Sequence, residues 1–365
     1  MTNGSTQPNL AQKVLRHIYK QIQDGTLETG DKLPTNRVLA EELDVSIWTV
    51  QFAMKQLEAQ GTVTCRRKTG TFLINPDAIN CPRIQSGFIG LFTSELTTGF
   101  HTELLVELEN EMMNQGKMVS INFTHFDPER ELKLLRSLAR QRLEALVYMP
   151  SPPAISSESY SKAISEWVDR YTEDGTLVLF ADLCPPGLES RLISMDNPRS
   201  GTMLTNKLIE HGHKNIAFLG ATHLATTQNR MKGYCNALKK AGLTINPDWH
   251  LVVRMLEAKD WEEHLEEEIR TLLSSNPELT GFAVCDQATA EALYNVLKET
   301  PNRKFSAEDS IASIFEESAP PFDALAWIQV PGKKMAQKAC EILLKDHPAD
   351  YEPGQVKIRP TFWAG

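Results

Sequence analysis

Beyond residue 86 the chain alternates short apolar runs with amphipathic stretches, and that rhythm restricts the fold more than any other property of the sequence. Phe88–Phe92, Val119–Phe123, Ala145–Tyr148, Leu177–Ala181, Asn215–Leu219, Gly281–Val284 and Ile311–Phe315 have the length and apolar content of buried strands. Between them, Thr102–Asn114, Glu129–Arg140, Tyr160–Tyr171, Gly201–Glu210, Arg230–Ala241 and Gln287–Lys298 carry a helical period. Doubly buried strands separated by helices predict βαβ units, hence parallel sheets covered on both faces. Roughly 280 residues is long for one such sheet, so two lobes are expected.

The first 76 residues follow a different pattern. Leu10, Val14, Ile18 and Ile22 recur every four positions, which predicts an amphipathic helix over Leu10–Asp24 stopped by Gly25. Leu33-Pro34 breaks the chain, and Thr35 is placed to cap a second helix running to Leu43. Ser46 is placed to cap a third, whose inner face is Val50, Ala53, Met54 and Leu57, ended by Gly61. Two β-type segments follow, Thr62–Arg66 and Thr71–Ile74, around a tip of Arg66, Arg67, Lys68 and Gly70. Three helices and a basic-tipped hairpin predict a winged helix-turn-helix. Its third helix must offer small or hydrogen-bonding groups to a major groove, and Ser46, Thr49 and Gln51 are of that kind. Charge runs are often mere solvated turns; the order of elements turns the reading towards DNA.

Charge distribution agrees. Residues 1–76 hold nine Lys and Arg against seven Asp and Glu, leaving 29 and 40 of the chain's 38 and 47 for the remainder. A weakly basic head on an acidic body is expected if only the head meets phosphate. The opening MTNGSTQPNL is polar and lacks Lys and Arg, unlike a secretory leader, so a cytoplasmic protein is expected. No apolar run has a membrane helix's length, and no membrane partner is expected. The six cysteines show no C-x-x-C spacing and read as free, mostly buried thiols.

The head resembles the GntR family. The pattern G-x-L-x-x-G-D-K-L-P-[ST]-x-R-x-L-A is met by Gly25-Thr-Leu-Glu-Thr-Gly-Asp-Lys-Leu-Pro-Thr-Asn-Arg-Val-Leu-Ala40, V-S-x-x-T-V by Val45-Ser-Ile-Trp-Thr-Val50, and the closing G-x-G-T-F-V in part by Lys68-Thr-Gly-Thr-Phe-Leu73. The resemblance implies that Arg37, Ser46, Thr49 and the wing from Arg66 to Thr71 touch an operator. Ile47 and Gln51 stand where the family usually has Arg. Arg reads guanine and Gln prefers adenine, so the usual guanine-containing half-site does not carry over. Ile47 lies against a thymine methyl or is merely exposed; Trp48 is expected to pack under the wing as core.

The body resembles the LacI/GalR sensor, a two-lobed, periplasmic-binding-protein-like fold. Leu208-Ile-Glu-His-Gly-His-Lys-Asn-Ile-Ala-Phe-Leu-Gly220 resembles L-x-x-x-G-H-x-x-I-x-x-L-x-G with its last glycine one place early, Arg230-Met-Lys-Gly-Tyr234 follows R-x-x-G-[FY], and Phe282-Ala-Val-Cys-Asp-Gln-Ala-Thr-Ala290 resembles in part the strand-end pattern A-x-x-x-x-[DN]-x-x-A, with Asp286 one place early. Departures lie towards the C-terminus: Ser313-Ile-Phe-Glu-Glu-Ser318 puts Glu316 where Asp is usual, and Ala326-Trp-Ile328 replaces T-T-[VI]. The expected organisation is a head over residues 1–76, a linker over 77–86 within the stretch Asn75–Ser86 that holds two prolines, and a sensor and dimerisation unit over 87–365.

Ligands of open α/β sheets bind beyond the carboxyl ends of strands, here between the lobes. Asp286 and Asp182 each follow a strand, and Arg230 is read as beginning a helix, where its cation opposes the helix dipole. Phe100 is placed to stack on a ligand, with Phe315 and Glu316 as further candidates. His101 and Thr93, near the first strand, are left aside. The resemblance and the Arg, Asp and aromatic set favour a sugar as effector; a nucleobase or another polar metabolite is the alternative that fits the same set. No H-E-x-x-H, G-x-S-x-G or P-loop occurs, and Lys207 and Lys214 lack the setting of a Schiff-base lysine. His211 and His213 at i, i+2 cannot share a helical face. The expectation is therefore a transcription regulator, by default a repressor relieved by its ligand with activation as the alternative, not an enzyme, with no metal or cofactor. It would bind duplex operator DNA as a homodimer under a small effector. The rival is a periplasmic-type small-molecule-binding protein.

Overall fold

The computed structural model describes residues 7–66, 69–76, 86–94, 99–141, 143–220, 224–253, 261–300, 304–316, 320–344 and 355–364. The head contains α1 (Gln7–Gln23), α2 (Asn36–Glu42), α3 (Ile47–Ala59) and the antiparallel hairpin β1 (Val63–Arg66) and β2 (Gly70–Leu73). Val14, Leu15 and Ile18 from α1 meet Leu39 from α2, Val50 and Leu57 from α3 and Leu73 from the wing in one buried cluster. The caps are where the sequence puts them: the Thr35 side chain accepts from Val38 N, and Ser46 Oγ accepts from Thr49 N at 3.1 Å. Asp44, in the turn between α2 and α3, takes a left-handed φ of 50°.

The first lobe of the body contains β3 (Phe88–Thr93), α4 (Gly99–Asn114), β4 (Met118–Phe123), α5 (Pro128–Leu138), β5 (Ala145–Tyr148), α6 (Pro152–Ser156), α7 (Glu158–Glu173), β6 (Leu177–Ala181) and β7 (Leu192–Met195). The second contains α8 (Asn197–Glu210), β8 (Ile216–Gly220), α9 (Ala225–Ala241), β9 (His250–Val252), α10 (Trp261–Ser275), β10 (Gly281–Val284), α11 (Gln287–Lys298), α12 (Ala307–Ser310), β11 (Ile311–Phe315) and β12 (Ala326–Gln329). The chain then returns to the first lobe with α13 (Gly332–Leu343) and β13 (Val356–Ile358), and ends in the second with β14 (Thr361–Ala364). The sheet orders are β13-β7-β6-β5-β3-β4 and β14-β12-β11-β10-β8-β9. Every named pairing is parallel except β12 with β14, as expected of βαβ units. Three crossovers, at residues 196, 330–331 and 359–360, therefore join the lobes.

Glycines permit the tightest helix contact. A Cβ on Gly201 of α8 would lie 2.0 Å from the Arg230 carbonyl oxygen of α9, and one on Gly233 would lie 2.0 Å from that of Pro198. Tyr234, fully buried beside Gly233, donates its hydroxyl to Ile216 O at 2.7 Å, which ties α9 to β8. His211 and His213 lie with their rings stacked, against Phe305, because Gly212 at φ +96° carries the chain out of α8. His213 is buried and its Nε2 is 2.9 Å from Asp309 O, which makes it a packing residue. The head meets the first lobe where the Arg16 guanidinium of α1 donates to Glu173 O at the end of α7 and lies against Gly175.

Candidate functional site

Two surfaces concern function. In the head, α3 opens at Ser46 with no acidic side chain in its first turn, so its amide dipoles favour an approaching anion. Arg37, Ser46 and Gln51 are exposed; the Arg37 side chain is 82% exposed and makes only a surface pair with Glu41, 3.5 Å away. Arg66 is exposed at the end of β1, its guanidinium 4.9 Å from the Phe72 ring centre. Gly70 takes φ +120°, and Thr71 follows it in β2. Arg67 and Lys68 lie outside the described residues.

Two expectations for α3 are corrected. Thr49 is buried at 3% exposure and its hydroxyl lies 2.7 Å from Ser46 Oγ, so it steadies the cap from inside. Trp48 is 56% exposed, not packed under the wing; its ring stacks on Phe52 one turn later. The reason is the helical period: positions 50, 53, 54 and 57 already fill the inward stripe, and 48 falls on the opposite side.

The second surface lies between the lobes. Asp182 follows β6 in a left-handed conformation, φ 67°, half-buried. Burial pushes its carboxyl up; the Arg230 guanidinium acts against this most strongly, Glu316 adds to it, and His101 opposes it. These four side chains share one field, with Asp182 and His101 from the first lobe and Arg230 and Glu316 from the second. Burial lowers His101, partly offset by Asp182.

Arg230 sits in the sixth position of α9, not at its start, so the dipole penalty does not apply. It is 8% exposed; Nε donates to Asn197 Oδ1 at 2.8 Å and an Nη to Cys285 O at 2.5 Å. It thus connects the first crossover, the carboxyl end of β10 and the Asp182 field. Asp286 caps α11, accepting from Thr289 N at 2.8 Å, while its other oxygen lies 3.6 Å from Cys285 Sγ. Gly220 permits this packing, because a Cβ there would meet Cys285 Sγ at 2.3 Å.

Two aromatic candidates are corrected. Phe100 is 3% exposed, facing α13, where a Cβ on Gly332 would touch its backbone oxygen. Phe315 is fully buried, edge-on to Phe322 in the core. Both belong to packing. Sequence reasoning passed over His101, Asn197 and Gln287; Gln287 Oε1 accepts from Glu316 N at 3.4 Å. A carboxamide opening the helix that follows a strand was the available signal for Asn197 and Gln287. Among the described residues no three His, Cys, Asp or Glu side chains gather to hold a metal, and no helix is long and apolar enough to cross a membrane.

Residues 86–362 match the family model of periplasmic binding proteins and the sugar binding domain of the LacI family. The chain belongs to this family. Residues 10–73 of this LacI-type chain match the model of bacterial regulatory proteins of the gntR family. The arabinose metabolism transcriptional repressor of Halalkalibacterium halodurans is 24% identical, over 95% of this chain and 95% of its own. The maltose regulon regulatory protein MalI of Escherichia coli is 26% identical, over 80% of this chain and 86% of its own. Among solved structures, the Cra transcriptional dual regulator of Pseudomonas putida, in complex with fructose 1-phosphate, superposes with a TM-score of 0.59 at 18% identity, covering 77% of this chain and 99% of that one. The mixed α/β architecture with a helix-turn-helix head and a two-lobed body is the one the residues foretold.

Proposed function

We propose that this protein is a transcription repressor whose operator affinity is set by a small polar effector, a sugar, held between the lobes. The observation that carries the reading is the buried Arg230 guanidinium of the second lobe, bonded to Asn197 and the Cys285 carbonyl, in the shared field of Asp182 and His101 from the first lobe and Glu316 from the second. A polyhydroxylated ligand suits such a set: carboxylates accept from hydroxyls and a guanidinium donates to them. Asp286 supplies a further oxygen just beyond β10. The relatives named for arabinose and maltose regulation and the fructose 1-phosphate complex support a saccharide.

In this reading the chain is a homodimer, and each head takes one half of a roughly palindromic operator. Arg37, Arg66, Arg67 and Lys68 supply cations for phosphate, Gly70 and Thr71 shape the wing, and Ser46 and Gln51 face the groove. Thr49 acts through the cap it makes with Ser46. The sensor moves the head through lobe closure: Arg230 is bonded to the crossover at Asn197, and the first lobe holds α1 through Glu173. A coupling of about 1–3 kcal/mol changes operator affinity roughly 5–150-fold.

The first test is thermal melting of the full-length protein against pentoses, hexoses, disaccharides, sugar phosphates, nucleosides and amino acids. A ligand that binds only the folded state raises the melting point by mass action. A saccharide that does so, and fails to do so with Arg230→Ala, supports the reading. A shift from nucleosides or amino acids alone would remove the sugar assignment.

A further inference from the structure

The outward face of α3 carries little of the charge expected of a helix that enters a groove lined by phosphate. Ile47, Trp48 and Phe52 are 47%, 56% and 43% exposed. Trp48 and Phe52 are stacked with ring centres 6.0 Å apart and planes 15° from parallel, a preset aromatic pair one turn long. Ile47 and Gln51, also one turn apart, form the neighbouring row. Isolated exposed apolar residues are ordinary, but three on one face of one helix are a patch.

The surroundings of the patch identify its occupant. Arg37, Lys55 and Arg66 are exposed on the same small unit, and the α3 N-terminus has no acidic side chain in its first turn. An apolar protein partner would satisfy the strip and leave the cations unused. A DNA duplex satisfies both, with phosphates along the rims and, on the major-groove floor, one apolar group, the thymine C5 methyl.

Resting on the DNA-binding reading above, we propose that α3 recognises an A·T-rich half-site through thymine methyls, read by Ile47, Trp48 and Phe52. Gln51 pairs with adenine, whose N6 and N7 match a carboxamide's acceptor and donor. Ile47 and Gln51 replace charge with shape and hydrogen bonding at positions suited to reading guanine. Specificity then rests on methyl burial, and the cations supply affinity without choosing sequence.

The test selects duplexes from a random library with the full-length protein. The best site is then remade with deoxyuridine for thymidine, one position at a time, which removes only the methyl. The expected result is half-sites dominated by A·T pairs, with about a fourfold loss of affinity at each contacted thymine. Ile47→Ala and Trp48→Ala should each abolish the deoxyuridine penalty at one position, and Ile47→Arg should move the selected site towards guanine. All three changes are at exposed positions, and unchanged melting confirms folding. Half-sites fixed by G·C pairs and indifferent to deoxyuridine would overturn this inference while leaving the regulator reading intact. Enrichment of no duplex would defeat the regulator reading and this one with it. A Trp48→Ala, Phe52→Ala protein that changes its mass in solution but keeps the deoxyuridine penalty would assign the face to another protein chain and overturn the proposal.

Discussion

In the head, the side chains assigned to a ligand face outward: Arg37, Ile47, Trp48 and Gln51 are all exposed, on helices whose inner faces are complete without them, and only Ser46 also caps a helix. In the body the assignment is the reverse. Arg230 is 8% exposed and bonded to Asn197 and Cys285, Asp286 caps α11, and Asp182 is half-buried among three other titratable side chains. A binding group independent of the core is replaceable without harm to the fold. A group that also holds two elements together ties ligand binding to lobe geometry, as a sensor requires.

This contrast can be broken by substitution. The largest stability effect is expected in the body, where Gly201→Ala places a methyl 2.0 Å from the Arg230 carbonyl oxygen and must separate α8 from α9. A loss of about 3 kcal/mol in urea unfolding is expected. Arg230→Ala comes next, with about 2 kcal/mol lost because Asn197 Oδ1 and the Cys285 carbonyl lose their donor. Effector response should vanish with it while operator binding remains. Arg37→Ala should lower operator affinity about tenfold, weakening as salt rises, with the urea midpoint unchanged. If Arg37→Ala and Arg230→Ala destabilised the protein equally, the contrast would fail.

The smallest expected effect is pH dependence. Burial lowers His213, His101 and His250 below the ordinary 6.5, so the unfolded chain takes up protons first. Stability is therefore complete above about pH 6.5 and falls as pH drops below it. Burial raises Asp182 and Glu131 above their ordinary 3.8 and 4.5, which has the opposite sign and offsets part of the loss at lower pH. Melting points between pH 7.5 and 5.5 should fall, and less steeply for His213→Asn; a rise over that range would contradict the assignment.

Much of this architecture was legible because it is written in local periodicity. The Ala145–Tyr148, Leu177–Ala181, Gly281–Val284 and Ile311–Phe315 strands and the Gln287–Lys298 helix lie where the apolar pattern puts them. β7, β9, β12, β13 and β14 did not stand out, being three or four residues long and at or next to sheet edges. α10 hides its single apolar stripe of Leu265, Ile269, Leu272 and Leu273 among charged residues. Of the cleft, Asp182, Asp286 and Glu316 could be inferred from their positions after strands, and Arg230 from the R-x-x-G-[FY] pattern, although it sits within α9 and not at its start. The aromatic could not: consecutive residues on a helix are about 100° apart, so Phe100 packs inward and His101 faces the Asp182 field.

Control of operator affinity by occupancy of the cleft is tested by titrating the selected operator duplex with full-length protein. The titration is done with and without the saccharide that raises the melting point, at matched salt. The expected result is a shift of roughly 5–150-fold that Arg230→Ala removes without changing affinity in the absence of saccharide. A saccharide that binds the cleft and leaves operator affinity unchanged would contradict it.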